Sequence, residues 1–298
     1  MSIRVNPDIL PDLVASIEQA QQNAQTATQE LATGRSVNNL SDNPAAAAAL
    51  VNNDSLTSEN DQYLTNLTDL QGKFQAGSSA LNSAVQLMTT AISLGTEGAT
   101  GTLSASQRQV IAQQVQGIQT QMLALANTSY EGTYIFAGTK VTTQPFTQSA
   151  SSPSGVQYNG NDDATTVQIG EAQSIQSNVA GDQIFANANG NVFQALNDLV
   201  NSLNSGTGIE AANTEVQQAF SQLTTQQAFY GNALSQLQNS QNYLNQEQVD
   251  LSTIQNQLVG ANMTQAATDE SQSATAEEAA LSATAQILSL PTLLNYTQ

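Results

Sequence analysis

The groups in this chain that could exchange protons near neutral pH are carboxylates, and their spacing decides what chemistry is open to them. The 298 residues contain neither Cys nor His, so thiolate nucleophiles, imidazole bases and Cys- or His-ligated metals are out of reach. Acid–base work would fall to pairs such as Asp162–Asp163, Asp269–Glu270 and Glu277–Glu278. Each pair is adjacent in sequence, whereas a two-carboxylate mechanism needs groups that face each other across a substrate. They read as solvated loop and helix faces. Asn161 beside Asp162–Asp163 offers oxygen ligands for a hard cation, but the EF-hand spacing is missing and a solvated hairpin tip is the better reading. Gly95–Gly101 is Gly-rich without the Lys-Ser/Thr of a phosphate loop, so it reads as a turn. No catalytic residue, cofactor or metal is expected.

Charge narrows the partners. The formal net charge is −19, with five basic residues: Arg4, Arg35, Lys73, Arg108 and Lys140. Nucleic acid would be repelled, because phosphate binding needs a basic face that cannot be built here. An anionic membrane surface is disfavoured for the same reason, and the longest apolar run, Ala45–Val51, is too short to span a bilayer. The opening residues MSIRVNPDIL lack the basic and apolar regions of a cleaved signal peptide. Any export is expected to use another route.

With no reactive constellation to position, the chain's organisation lies in its helices. Every seventh residue from Val216 is apolar: Val216, Leu223, Tyr230, Leu237, Leu244, Leu251 and Leu258. No Pro interrupts 210–262, which predicts one helix of roughly 75–80 Å at about 1.5 Å per residue. Such a stripe needs partners. A second helix from Pro44 toward Leu94 supplies one, with rows Asn60, Leu67, Phe74, Leu81, Met88 and Tyr63, Leu70, Gly77, Ala84, Ala91. Asp42 or Asn43 is its expected cap. A third helix carries Val110, Ile111, Val115, Ile118, Met122 and Leu125 on one side and ends near Asn127. Aromatics are only 5%, so burial is expected from many Ala and Leu contacts along extended helices.

Between Gly132 and Phe185 the pattern changes to short alternating stretches. Asn159-Gly160 predicts a hairpin of Val156–Tyr158 with Thr165–Ile169. Asn187–Asn191 returns the chain to a helix with Phe193, Leu196, Val200 and Leu203 on one face, stopped by Ser205–Gly208.

The two ends carry weaker seams. Leu10, Ile17, Ala24 and Leu31 repeat with Leu13, Ala20 and Ala27 until Gly34 stops the helix, and Ala267, Ala274, Leu281 and Leu288 repeat before the tail around Leu290 and Pro291. At about 25 cal/mol per Å² such small knobs give marginal helices in an isolated chain. Leu10, Leu13, Ile17, Leu31, Ala274, Leu281, Leu288 and Leu290 are therefore the candidate assembly contacts.

Several stretches carry a family resemblance. Leu31–Ala47, LATGRSVNNLSDNPAAA, resembles the N-terminal motif of the flagellins and their relatives, with Gly34, Val37, Asn38, Ser41, Asp42 and Pro44 in place. Leu125–Phe146, the insert through Phe185 and the end LSATAQILSLPTLLNYTQ are similar to the members of that family that join hook to filament. Two positions depart from the family pattern: Arg35-Ser36 replaces a basic pair and Asn43 a second Asp. The resemblance implies a mainly α fold, a long antiparallel helical bundle or coiled coil made from both chain ends with a small β-rich inserted domain. Residues 1–44 with 253–298 would form an inner α-tube, 45–137 with 192–252 a middle bundle, and 138–191 an outer insert. It further implies a non-enzymatic subunit at the hook–filament junction, exported by the flagellar type III apparatus with an export chaperone. Its partners would be its own copies in a ring or tube, hook-associated protein 1 on one side and flagellin on the other. A filament flagellin with a short outer domain is the alternative, and a secreted glycan-degrading enzyme a remote one.

Overall fold

The computed structural model describes residues 9–39 and 41–289, with side chains over 11–39 and 41–286. Helices dominate: α1 (Ile9–Thr33), α2 (Pro44–Gly98), α3 (Ala105–Ala126), α4 (Gly181–Phe185), α5 (Val192–Ser205), α6 (Ile209–Val259) and α7 (Met263–Ser289). Four two-stranded antiparallel ribbons lie between α3 and α5: β1 (Ser129–Tyr130) with β2 (Thr133–Tyr134), β3 (Phe146–Gln148) with β4 (Val156–Tyr158), β5 (Thr166–Gly170) with β6 (Gln173–Gln176), and β7 (Ala186–Asn187) with β8 (Gly190–Asn191). The fold is mainly α with long terminal helices and a small sheet-containing insert. It divides into two compact units, 1–58 with 248–298, and 59–247. Both α2 and α6 contribute to each.

In the second unit the heptad rows form the core as their periodicity predicts. Leu67, Phe74, Leu81 and Met88 of α2 are buried, as are Val216, Leu223, Tyr230, Leu237 and Leu244 of α6. Each such leucine contributes about 1.5–3 kcal/mol on burial. The helices run antiparallel, since Asn60 Nδ2 donates to the Leu244 carbonyl (3.0 Å), Gln71 Nε2 to Gln238 Oε1 (3.2 Å) and Asn213 Nδ2 to Thr96 Oγ1 (3.1 Å). Helix α3 starts on a capping box, with the Gln107 N–H donating to Ser104 Oγ (3.3 Å) and the Ser104 N–H to Gln107 Oε1 (2.9 Å). It buries Ile111, Val115, Ile118 and Met122, while Val110, placed with them by spacing, is 55% exposed. Helix α5 packs on α3 and buries Phe193, Leu196, Val200 and Leu203. The segment read as a turn from Gly95 is helical to Gly98.

The scarce aromatics are pooled instead of being replaced by Ala. Phe136, Phe146, Phe185 and Phe193 form one cluster with centroids 5.3–6.2 Å apart, joined through Phe136 to Tyr230 (6.4 Å) and from there to Phe74 (5.1 Å). Three of these six rings, Phe136, Phe146 and Phe185, come from the insert, which is thereby fixed to the helices.

The predicted hairpin across Asn159-Gly160 is not formed. Val156–Tyr158 pairs instead with Phe146–Gln148, and Thr166–Gly170 with Gln173–Gln176. A type I′ turn needs positive φ at both central residues, and neither Asn159 nor Gly160 has it. The Asn159 N–H donates to the Pro145 carbonyl (2.8 Å) and the Asn161 N–H to the Ala137 carbonyl (3.3 Å), so the dipeptide leads β4 along its neighbour instead of back on itself. The turn with that geometry lies at Glu131 (φ 50°) and Gly132 (φ 78°), between β1 and β2.

In the first unit α1 and α7 pack side by side. They are antiparallel: Gln21 Nε2 donates to Glu277 Oε1 (2.9 Å) and the Ala261 N–H to the Gly34 carbonyl (3.0 Å). The end of α6 meets the start of α2, where Asn53 Nδ2 donates to the Leu251 carbonyl (3.1 Å).

Candidate assembly surface

Along α1 the covered positions are those of the two-row seam. Ala20 and Ala27 are buried, and Leu13, Ile17, Ala24 and Leu31 are half-buried. Helix α7 presents Ala266 and Ser273 as its buried row, with Glu277 and Ala280 half-covered. The row read from the sequence, Ala267, Ala274 and Leu281, lies one position further round. One residue is about 100° of helix, which turns it out of that contact. All three are exposed, Leu281 by 51%. The chain therefore uses the α1 seam internally and leaves an apolar heptad row of α7 uncovered. The side chains of Leu10 and Leu288, and Leu290 with the tail beyond it, lie outside the described residues. A shallow groove between α1 and α7 is floored by Ala20, Ala27 and Ser273 and edged by Asn23, Asp269 and Gln272.

The motif residues gather in the loop joining α1 to α2. Gly34 ends α1 with φ +70°, a conformation that strains any residue with a β-carbon. Arg35 then bridges Gly260, and the Ser36 N–H donates to the Val259 carbonyl (2.8 Å), which ties this loop to the turn between α6 and α7. Asn38 Nδ2 closes back on the Arg35 carbonyl (2.8 Å). The Asp42 carboxylate accepts from the backbone N–H groups of Asn39 (2.7 Å) and Asn38 (3.0 Å), while Ser41 Oγ donates weakly to it (3.4 Å). These bonds, Asn39's first, hold the Asp42 carboxyl below its ordinary range. Of the two capping candidates, Asn43 is the one used, its Oδ1 accepting from the Ala46 N–H (3.1 Å). Pro44 follows as the first helical residue, where its missing N–H costs nothing.

The carboxylates are arranged differently from their sequence order. Glu277 is drawn toward α1 and Glu278 is exposed. Asp163 accepts from the Asn161 side chain, and Asp162 meets Asp182, a residue twenty positions on that spacing alone did not single out. Burial first, then the hydrogen bond and charge of Asp162, raise the Asp182 carboxyl above the ordinary Asp range. Tyr158 stands nearby with its hydroxyl hydrogen shared between the Phe136 and Asn161 carbonyls (3.1 Å each) and its oxygen accepting from the Gly181 N–H (3.3 Å). Burial pushes that phenol up to about 12. The arrangement ties α4 to the strands. Among the described residues no group of three or more Asp and Glu side chains is placed to hold a metal ion, and no helix is long and apolar enough to cross a membrane.

Residues 12–141 match the bacterial flagellin N-terminal helical region. Flagellar hook-associated protein 3 of Salmonella typhimurium is 33% identical over 158 residues, 53% of this chain and 48% of that protein. Its Escherichia coli counterpart is 32% identical with the same coverage. The chain thus spans about half the length of these relatives. Among solved structures, a flagellar hook-associated protein from Vibrio parahaemolyticus superposes with a TM-score of 0.67 at 18% identity, over 74% of this chain and 100% of that one. The flagellar junction protein FlgL from Legionella pneumophila gives 0.61 at 14% identity, over 71% and 100%. At these identities the superpositions establish the fold, and the sequence matches carry the kinship. The chain is thus similar to the flagellin family, through the N-terminal helical region matched over residues 12–141 and through its hook-associated relatives.

Proposed function

We propose that this chain is a structural subunit of the bacterial flagellum that joins hook to filament, working by helix packing and without catalysis. The observation that carries the reading is the α7 row Ala267, Ala274 and Leu281, which is exposed while α1 covers the neighbouring row. An apolar heptad row left open on a helix that already has one partner fits a second helix from another subunit. The names of the relatives, flagellar hook-associated protein 3 and flagellar junction protein, support a position for that assembly at the hook. In this reading residues 1–44 and 253–298 build an inner tube, 45–137 with 192–252 a middle layer, and 138–191 the outward-facing insert. The partners are further copies, hook-associated protein 1 and flagellin, and the chain reaches its place outside the cell through the flagellar export apparatus with a chaperone.

Electron microscopy of flagella carrying a labelled copy tests this directly. Label confined to a short band where hook meets filament is the expected result, and label along the whole filament would identify a filament flagellin instead. Deleting the gene should leave hooks intact and release flagellin into the medium; normal filaments in that strain would overturn the proposal.

A further inference from the structure

The tripeptide Asn-Gly-Asn occurs twice, at Asn159–Asn161 and Asn189–Asn191, and the fold treats the two asparagines in opposite ways. Asn159 is half-buried, and its side-chain amide donates to Thr147 Oγ1 (2.9 Å) while Lys140 Nζ contacts its carbonyl (3.3 Å). Asn189 sits at the tip of the β7–β8 ribbon, exposed, and its side chain has no hydrogen-bond partner among the described residues. The following glycine is fixed by packing. Gly190 is buried against α6, where a β-carbon would lie 3.1 Å from the Ala219 Cα and the Gln218 carbonyl oxygen. The fold thus demands, directly after a free asparagine, the residue that least hinders attack on it.

We infer that Asn189 is a site of spontaneous deamidation and that Asn159 is protected from it by the fold. The Gly190 nitrogen, on losing its proton to solvent base, attacks Asn189 Cγ. The new N–C bond closes a succinimide and the side-chain nitrogen leaves as ammonia. Water then opens either imide bond, giving aspartate or isoaspartate; the sum is asparagine plus water to the acid plus ammonia. Attack requires the ribbon to open briefly, which strands of two residues allow at little cost. Isoaspartate inserts an extra backbone atom into a two-residue loop. That displaces Gly190 from Ala219 and draws Asn191 from its post as the cap of α5, where its Oδ1 accepts from the Gln194 N–H (3.0 Å).

Peptide mapping by mass spectrometry after incubating the full chain at mildly alkaline pH provides the test. Conversion at Asn189 should exceed that at Asn159 by about tenfold or more, the factor one net hydrogen bond supplies. It should rise with pH, and the two rates should reach parity in denaturant. Thr147→Val should accelerate Asn159 in the folded chain. Equal rates in the folded chain, a difference that persists in denaturant, or no response to Thr147→Val would each overturn the inference.

Discussion

The ring of Tyr230 occupies the space that a β-carbon on Gly77 would need. Gly77 lies in the α2 row and Tyr230 in the α6 row, so the largest side chain of one seam is met by the smallest of the other, and the helix axes can approach there. Gly77→Ala would gain about 1 kcal/mol of helix propensity but costs about 1–3 kcal/mol in overpacking. Destabilisation is therefore the expected net sign. Gly117→Ala in α3, with nothing within 4 Å of the added carbon, should instead stabilise by about 0.5–1 kcal/mol. Thermal unfolding of the two variants should move in opposite directions.

Tyr158 ties stability to alkaline pH. Its folded pKa, about 12, lies above the ordinary phenol value of 10. A raised pKa means the folded state holds the proton more tightly, so the contribution is intact below pH 10 and is lost as pH rises from there toward 12. Tyr158→Phe should flatten this loss. It should also cost about 0.5–1.5 kcal/mol at neutral pH through the missing hydroxyl bonds. Melting temperature against pH for both proteins checks the two effects together.

Asp42 acts at the other end of the scale. Its carboxyl is held below the ordinary value of 3.8, by Asn39 first and then Asn38. A depressed pKa gives a contribution present above the unfolded value and lost as pH falls through the folded one. Amide NMR signals of Asn38 and Asn39 should shift together only below the normal carboxylate range, and Asp42→Asn should remove that titration. A transition of those amides at the ordinary Asp pKa would count against the loop geometry.

Leu281→Asp separates folding from assembly. The side chain is 51% exposed, so its replacement should alter unfolding by no more than about 0.5 kcal/mol. Incorporation into flagella, followed by complementation of a deletion strain, should nevertheless fail. Normal incorporation would show that the open α7 row is not an assembly contact.

What could be read ahead of the structure follows from the physics of each segment. The α2 and α6 rows were legible because a period near seven sustained over many turns admits one burial pattern, and Leu67 to Met88 and Val216 to Leu251 obey it. The α1 seam was legible for the same reason. On α7 the same reasoning picked Ala267, Ala274 and Leu281, whereas α1 covers Ala266 and Ser273: where Ala and Ser alternate around a helix, adjacent rows differ too little in hydrophobicity to say which faces inward. The hairpin failed because Asn159-Gly160 carries a strong local preference that Pro145, Ala137 and the Tyr158 hydroxyl override through contacts distant in sequence. Glu131-Gly132, the turn that forms, carries a weaker composition signal. Of the site, the Gly34–Pro44 loop was legible from its turn and cap residues, while the pairing of Asp162 with Asp182 depends on the fold of the insert and left no trace in spacing.

Two asparagines, Asn53 and Asn60, stand where the α2 row would otherwise hold leucines, each bonded to a carbonyl of α6, on Leu251 and on Leu244. A seam of uniform leucines would let paired rods creep by one rung and find a nearly equivalent fit. Amide keys seven residues apart both engage their slots in one alignment only, and a slip of one heptad would strand one of them in a dry groove. Traction along these helices would therefore be resisted as a keyed shaft resists sliding, by a few polar teeth set in an oily track.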